Sequence, residues 1–215
     1  MILLFETRKS DIQAVLERDP AARSKWEVIF LYSGYKAVRS HRRAHWFHEH
    51  GHPFIARWIS QRCRHKTGIE IHPGAQIGKG LFIDHGMGVV IGETTVIGDN
   101  CTLYQNVTLG GTGKDTGKRH PTLGNNVLVG SGAKVLGPFK VGDNARIAAG
   151  AVVLREVPPN STAVGVPARI VKVNGIRSDM LDQIHISDPV AQALCKLDCR
   201  IDELQSEIKE LKSKE

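Results

Sequence analysis

The stretch IGETTVIGDNCTLYQNVTL, residues 91–109, carries an aliphatic side chain at every sixth position. Continued in both directions, this spacing reaches thirteen positions, each of them Ile, Leu or Val: Ile71, Ile77, Ile83, Ile91, Ile97, Leu103, Leu109, Leu123, Val129, Val135, Val141, Ile147 and Val153. Neither a helix nor a flat strand has a period of six. A triangular coil does, because each of its three short strands points one aliphatic side chain inward. The sequence therefore predicts a left-handed parallel β-helix.

Two insertions interrupt this period. Two extra residues precede Ile91, and eight extra residues lie between Leu109 and Leu123. The second insertion forms a polar, glycine-rich loop, residues 110–122. A projection of this kind from a regular solenoid is more often functional than structural. Both interruptions are therefore candidate positions for a site.

The predicted fold class is α+β, with three regions along the chain. Residues 1–67 are expected to form a helical domain, with a helix that Ser10 caps and a break at Asp19-Pro20. Residues 68–172 form the β-helix, and residues 173–215 form a C-terminal tail and helix. An apolar stripe at heptad spacing covers 194–211 in this last region. It is short enough to fit either a helix packed on the body or a coiled coil.

Charge and hydropathy limit the classes of function. The net charge of +7 would suit nucleic acid, an anionic surface or a phosphate-bearing ligand. The basic residues are scattered and no nucleic-acid-binding motif is present, so nucleic acid is not an expected partner. The apolar start is too short for a signal peptide, and no segment reaches the length of a membrane span. The four cysteines lack disulfide or zinc spacing, which fits a cytoplasmic protein with free thiols.

His85 stands at the first interruption of the period and is a candidate general base, because its proton exchanges near neutral pH. Glu70 lies fifteen residues earlier, on the adjacent coil near the same edge, and is a candidate carboxylate to orient the imidazole. A structural interpretation fits both residues equally well. In that interpretation His85 fills a corner and Glu70 is solvated.

Arg119 and His120 end the long loop. They offer a cation and a second titratable group, which suit a substrate carboxylate, although a solvated basic loop has the same composition. His41, His45 and His48 have helical spacing but no carboxylate or cysteine to complete a metal site. Packed or solvated histidines are therefore favoured there.

Five motifs carry a resemblance to a known family: EIHPGA at 70–75, DHGMGVVIGET at 84–94, TLGGTGK at 108–114, KRHP at 118–121 and GVPAR at 165–169. From about residue 11 to 172 the chain resembles the serine acetyltransferases, the enzymes that make O-acetylserine for cysteine synthesis. The six-residue repeat alone would indicate only the hexapeptide acyltransferase superfamily.

The resemblance implies direct transfer of the acetyl group from acetyl-CoA to the hydroxyl group of L-serine. His85 would be the general base and Glu70, where many members have Asp, its orienting carboxylate. The implied serine-binding residues are Asp19, Pro20, Asp84, Arg119 and His120. Acetyl-CoA would lie between two subunits, near Gly111, Thr112, Ser131 and Ala149. No metal is implied.

The resemblance also implies partners. L-cysteine, which resembles serine, would inhibit at the same site. A homotrimer is expected, because the long helical extension that joins two trimers in the enteric type does not precede Asp19 here. Members often end in an Ile that inserts into O-acetylserine sulfhydrylase. This chain ends in Lys212-Ser213-Lys214-Glu215, so docking by that route is not expected.

Three alternatives remain at the level of sequence. The first is a hexapeptide acetyltransferase with another acceptor, such as a sugar, an antibiotic or homoserine. The second is a γ-type carbonic anhydrase with zinc on His85 and His120, for which a third histidine is missing because position 125 is Asn. The third is a non-catalytic scaffold that binds the sulfhydrylase.

Overall fold

The computed structural model describes residues 2–113 and 116–171 and, near the C-terminus, residues 194, 195, 197, 199–201 and 203–205. Four helices come first: α1 (Ile2–Arg18), α2 (Lys25–Leu31), α3 (Ser33–Glu49) and α4 (Pro53–Thr67). Parallel strands follow, which confirms the predicted α+β class. The chain forms two compact units, Met1–Arg177 and Ser178–Glu215. No helix in the described part is both long and apolar enough to cross a membrane.

The helix ends follow local sequence signals. The side chain of Ser24 accepts a hydrogen bond from the backbone N–H of Glu27 and caps α2. Pro53 opens α4, and Gly68 ends it in the left-handed conformation with a φ of 70°. The expected cap at Ser10 is wrong, because α1 runs through this residue. Its hydroxyl group donates to the carbonyl of Thr7 instead, as serine does inside a helix.

The second part of the chain is a triangular prism of stacked short strands. Its strands are β1 (Glu70–Ile71), β2 (Gln76–Ile77), β3 (Phe82–Ile83), β4 (Val90–Ile91), β5 (Val96–Ile97), β6 (Thr102–Leu103), β7 (Thr108–Gly110), β8 (Thr122–Leu123), β9 (Leu128–Val129), β10 (Lys134–Leu136), β11 (Lys140–Val141), β12 (Arg146–Ile147), β13 (Val152–Val153), β14 (Thr162–Val164) and β15 (Arg169–Val171). Each of the thirteen predicted aliphatic residues lies in one of these strands, and all except the half-buried Ile77 are buried. The left-handed parallel β-helix is thereby confirmed.

The strands form three sheets, which we call faces A, B and C. Face A has the order β1-β4-β7-β10-β13, face B β11-β8-β5-β2, and face C β15-β14-β12-β9-β6-β3. All pairs are parallel except β14 with β15. Two corners matter for the site. Corner AB contains residues 72–75, 92–95, 111–113, 116–121 and 137–139, and corner CA contains residues 84–89, 104–107, 130–133 and 148–151.

The helices are fixed to the first coils of the prism. Phe82 points outward from face C and is buried against Val15, Val28 and Tyr35. A Cβ atom on Gly34 would overlap the carbonyl oxygen of Ile83, so α3 touches the backbone of β3 directly. This packing brings the end of α1 close to the chain that follows β3.

In the smaller unit the described residues have helical backbone. Its described residues with helical backbone include Leu194, Leu197, Ile201 and Leu204 of the predicted heptad stripe, and these four side chains are exposed. Ile208 and Leu211, the remaining members of the stripe, lie outside the described residues. Among the cysteines, Cys101 is buried inside the prism, and burial raises the pKa of its thiol to about 11.

Candidate active site

A first cluster of polar side chains lies at corner CA, where the two extra residues lengthen the chain after β3. His85 adopts the left-handed conformation with a φ of 56°, which is uncommon for a residue with a side chain. Its imidazole is 74% exposed, and its Nε2 lies 3.9 Å from Oδ1 of Asp84. The register shift therefore turns the candidate base out of the prism, where a substrate can reach it.

Asp19 joins this cluster from the helical layer. Its Oδ2 accepts a hydrogen bond of 2.7 Å from the hydroxyl group of Tyr32, and its Oδ1 accepts one of 2.8 Å from the backbone N–H of Ala21. Pro20 lies in the turn between Asp19 and Ala21. The N–H of Ala22 donates a hydrogen bond to the carbonyl of Asp19 in this turn. Both carboxylate oxygens are thus held in place.

Burial and the nearby Asp19 shift the pKa values of Asp84 and Tyr32. Burial raises the pKa of Asp84; the neighbouring His85 opposes the rise and Asp19 adds to it. Burial and the hydrogen bond to Asp19 raise the pKa of Tyr32 to about 12. The tyrosine therefore stays protonated at neutral pH and keeps donating to Asp19.

Glu70 is placed differently from the prediction. It forms ion pairs with Arg64 at 3.2 Å and Arg57 at 3.5 Å, and Gln61 lies 3.5 Å away. In the described part of the chain no hydrogen bond or ion pair joins Glu70 to His85. The predicted pair is not made because residues 57, 61 and 64 share one face of α4 and turn it toward the outward-pointing side chain of β1.

A second cluster lies at corner AB and contains Arg119 and His120. Arg119 forms a hydrogen-bonded ion pair with Glu93, which lowers the pKa of that carboxyl group. The side chain of Thr94 accepts hydrogen bonds from the backbone N–H groups of Arg119 and His120, at 3.0 and 3.1 Å. The end of the long loop is thereby fastened to the coil below it.

The surroundings of His120 keep its imidazole neutral and leave one ring N–H as a hydrogen-bond donor. Burial, and then the charge of Arg119, lower the pKa of its imidazole. Its Nδ1 lies 3.2 Å from the backbone N–H of Thr94, which makes Nδ1 an acceptor. In the neutral ring the proton is then on Nε2. A Cβ atom on Gly92 would overlap this ring, so the glycine is required for the position of His120.

The residues predicted to hold acetyl-CoA are divided between the two corners. Gly111 and Thr112 lie at corner AB beside Arg119, whereas Ser131 and Ala149 lie at corner CA. A Cβ atom on Gly130 would approach the backbone nitrogen of Ala149 to 2.6 Å, so these two coils stack closely. One chain alone therefore brings together neither the predicted cofactor residues nor the predicted serine residues.

Sequence reasoning missed three residues of these clusters, namely Tyr32, Glu93 and Thr94. For Glu93 a signal existed: it precedes Arg119 by 26 residues, which is one coil of three six-residue sides plus the eight-residue insertion. For Tyr32 no repeat gives a signal, because its position depends on how α2 packs.

The N-terminal histidines are packed against the prism. His41 is buried, and Nδ1 of His45 lies 2.7 Å from the carbonyl oxygen of Pro73. The ring of His48 lies 6.3 Å from that of His72. Among the residues that the structure describes, no group of three or more His, Cys, Asp or Glu side chains is placed to hold a metal ion.

The prism and its two polar corners define a transferase of the hexapeptide-repeat class. In agreement, the family model "Bacterial transferase hexapeptide (six repeats)" matches residues 120–155. The model "Serine acetyltransferase, N-terminal" matches residues 3–40, which include Asp19 and Pro20.

Similar proteins identify the family. A serine acetyltransferase of Bacillus subtilis is 52% identical over 99% of this chain and 98% of its own length. The crystal structure of a Brucella abortus serine acetyltransferase with coenzyme A has a TM-score of 0.77 and 45% identity, covering 78% of this chain and 67% of that one. Soybean serine acetyltransferase complexed with serine has a TM-score of 0.77 and 46% identity, covering 78% and 69%. The chain belongs to the serine acetyltransferase family, which confirms the resemblance in the motifs.

Proposed function

We propose that the chain transfers the acetyl group of acetyl-CoA to the hydroxyl group of L-serine, giving O-acetylserine and CoA for cysteine biosynthesis. The observation that carries the chemistry is the exposed imidazole of His85 at corner CA, beside the carboxylates of Asp84 and Asp19. The relatives with bound coenzyme A and bound serine support these two molecules as ligands.

The reaction follows from the groups at the two corners. His85 accepts the proton of the serine hydroxyl, and the oxygen attacks the thioester carbonyl carbon of acetyl-CoA. Backbone N–H groups stabilise the negative oxygen of the tetrahedral intermediate. The intermediate expels the CoA thiolate, which takes the proton back from the imidazolium of His85. The step consumes no metal, oxidant or reductant.

Serine is held by groups of opposite charge. Asp19 and Asp84 are acceptors for its ammonium group, and Arg119 binds its carboxylate in place of Glu93. His120, neutral with its proton on Nε2, donates a hydrogen bond to the substrate. Pro20 fixes the turn that presents Asp19.

The proposed site is shared by two copies of the chain. Each set of binding residues is divided between corners AB and CA, so the site requires corner CA of one copy and corner AB of another. Such a contact is heterologous, and it closes into a ring when the rotation between copies permits. We propose that three copies close such a ring and form a homotrimer.

Glu70 is proposed as a second carboxylate for His85 after it releases its arginines. Its position supports this role. The N–H of Glu70 bonds to the carbonyl of Val89 at 2.9 Å, and the N–H of Gly88 bonds to the carbonyl of Gly68 at 2.9 Å. Glu70 therefore lies beside the segment that carries the base. Exchange to Gln is expected to lower kcat and leave the KM for serine unchanged.

Inhibition by L-cysteine at the serine position and a cytoplasmic location complete the proposal. Cysteine carries the same ammonium and carboxylate groups as serine. Docking to O-acetylserine sulfhydrylase through a terminal Ile is not part of it.

Subunit mixing tests the shared site. His85→Ala and Arg119→Ala are each expected to release little CoA thiol in the presence of L-serine. When the two variants are unfolded together and refolded, about one quarter of the sites combine an intact His85 with an intact Arg119. Activity should return to about that fraction of wild type. No recovery on mixing would refute the shared site.

The acceptor is tested in parallel. L-Serine, homoserine and a sugar are compared at equal concentration in the same thiol-release assay. Faster release with another acceptor, or release that His85→Ala leaves undiminished, would refute serine acetylation by this base.

A further inference from the structure

A groove on the helical layer concentrates positive charge that the proposed active site does not use. It crosses α3 between α2 and α4 and encloses a cavity of about 460 Å³. Five cations line it: Lys36, Arg39, Arg43, Arg62 and Lys66. We call this feature the basic groove.

Helical spacing places these cations on two facing walls. Lys36, Arg39 and Arg43 recur at intervals of three and four on α3, and Arg62 and Lys66 are four apart on α4. Residues at these intervals share one face of a helix. Lys36 and Arg43 are seven positions apart, so the cationic part of α3 extends over about 10 Å along the axis.

The charge of the groove is not neutralised within the described residues. No ion pair of the described chain includes any of the five cations, and none of the described lining residues is acidic. Burial lowers the pKa of Arg43, and the nearby charges of Arg39 and Arg8 lower it further. Arg39 and Arg43 are thus close enough to repel each other, and an anion in the groove would relieve this repulsion.

The groove also has aromatic walls. The side chains of Phe30 and Trp58 are 63% and 57% exposed, although both border the cavity. The guanidinium group of Arg62 lies 5.7 Å from the centre of the Trp58 ring. A planar group can stack on such a surface while cations bind its charged part.

The volume of the groove suits a small ligand. Ligand pockets for small molecules are typically about 300–1,000 Å³, and the groove falls within that range.

We propose that the basic groove binds a small polyphosphate that carries a planar ring, which is the chemistry of a nucleoside diphosphate. Each of the three arginines donates two hydrogen bonds to a pair of phosphate oxygens, and Lys36 and Lys66 each contribute a positive charge. Phe30 and Trp58 receive the ring. Residues of α2–α4 line the groove, and none of its described lining residues belongs to corner AB or CA, so this site does not depend on the proposed acetyl transfer.

Binding of ADP to the full chain tests the proposal by calorimetric titration at low salt. One ADP per chain is expected. The double variant Arg39→Gln/Arg43→Gln should bind ADP about tenfold more weakly or worse, since it loses two charge-assisted contacts. The matched double variant Lys140→Gln/Arg155→Gln removes two exposed charges on the prism and should bind like wild type. Trp58→Leu should weaken ADP but not tripolyphosphate.

The acetylation assay separates this site from the active site. The KM values for acetyl-CoA and serine should be unchanged in Arg39→Gln/Arg43→Gln. Equal ADP affinity in all variants, or no ADP binding at millimolar concentration, would overturn the proposal. So would binding of a polyglutamate peptide or of anionic vesicles without binding of ADP.

Discussion

The hydroxyl group of Tyr32 donates a hydrogen bond of 2.7 Å to Oδ2 of Asp19, while Oδ1 accepts from the N–H of Ala21. These two bonds fix the carboxylate beside Asp84 at corner CA. Tyr32 therefore acts as a positioning residue, because it orients the group that is proposed to bind the ammonium group of serine.

Tyr32→Phe is expected to raise the KM for serine about five- to tenfold, the equivalent of one typical hydrogen bond, because Tyr32 acts on serine only through Asp19. The kcat and the KM for acetyl-CoA should not change, because His85 is untouched. Steady-state thiol release at varied serine gives both constants. Tyr35→Phe, which removes a hydroxyl group from the neighbouring core, is the control. A fall in kcat with an unchanged serine KM would contradict the positioning role.

Gly92→Ala is expected to displace the imidazole of His120, because the added methyl group would overlap the ring. The backbone of Gly92 is not in the left-handed region, so the effect is steric rather than conformational. We expect kcat/KM for serine to fall by about 10- to 100-fold, in line with the loss of an oriented group at a site. The free energy of unfolding should also fall, by about 1–3 kcal/mol, as for other overpacked sites.

Gly51→Ala provides the comparison, because no atom lies within 4 Å of its added Cβ although its φ of 76° makes it strained. It should lower stability and leave kcat/KM for serine near wild type. Equal catalytic losses in both variants would mean that Gly92 acts through general stability.

The prism could be predicted because one physical rule repeats along it. Every coil must place an aliphatic residue on each inner side, so the period of six survives in the sequence. The same arithmetic relates Glu93 to Arg119 across the loop. Contacts along the stacking direction are therefore encoded in simple separations, and the division of the site between corners follows from them.

The contacts of the helical layer could not be predicted in this way. The Tyr32–Asp19 bond depends on the packing of Phe82 with Val15 and Val28, which no local pattern reports. Glu70 differs from the prediction for a similar reason. The rotation of α4 about its axis decides whether Arg57 and Arg64 reach the carboxylate, and only the tertiary structure fixes that rotation.

Asp11→Ala is expected to destabilise the fold by about 3–5 kcal/mol, because it leaves Arg42 without its buried partner. The side chain of Asp11 is 2% exposed, and the two atoms of the pair lie 2.9 Å apart. Asp11 also accepts a hydrogen bond from the N–H of Gly80, and Arg42 donates to the carbonyl of Gly78. The pair thus joins α1 and α3 to the first coil.

Urea unfolding measures this loss, and Glu17→Ala on the exposed side of α1 should change stability by less than about 0.5 kcal/mol. The double variant Asp11→Leu/Arg42→Met should recover much of the loss, since apolar residues of similar volume replace both charges. A loss below about 1 kcal/mol in Asp11→Ala would show that water enters the site and solvates Arg42.

His41 makes stability depend on pH. Burial, followed by the charges of His45 and Arg42, lowers the pKa of its imidazole to about 3. In the unfolded chain the ring takes up a proton near its ordinary pKa of 6.5, so acid favours unfolding. The stabilising contribution is complete above that pH and is lost progressively as the pH falls towards 3. Between about pH 7.5 and 5.5 the loss amounts to about 1.4 kcal/mol.

His41→Gln should remove this part of the pH dependence, because glutamine does not titrate. Urea unfolding of wild type and variant at about pH 7.5, 6.5 and 5.5 measures the difference in slope. The absolute stability of the variant is not the criterion, since the exchange also alters packing. His65→Gln, an exposed imidazole on α4, should keep the wild-type slope. Parallel curves for wild type and His41→Gln would show that a group other than His41 governs the acid sensitivity of the fold.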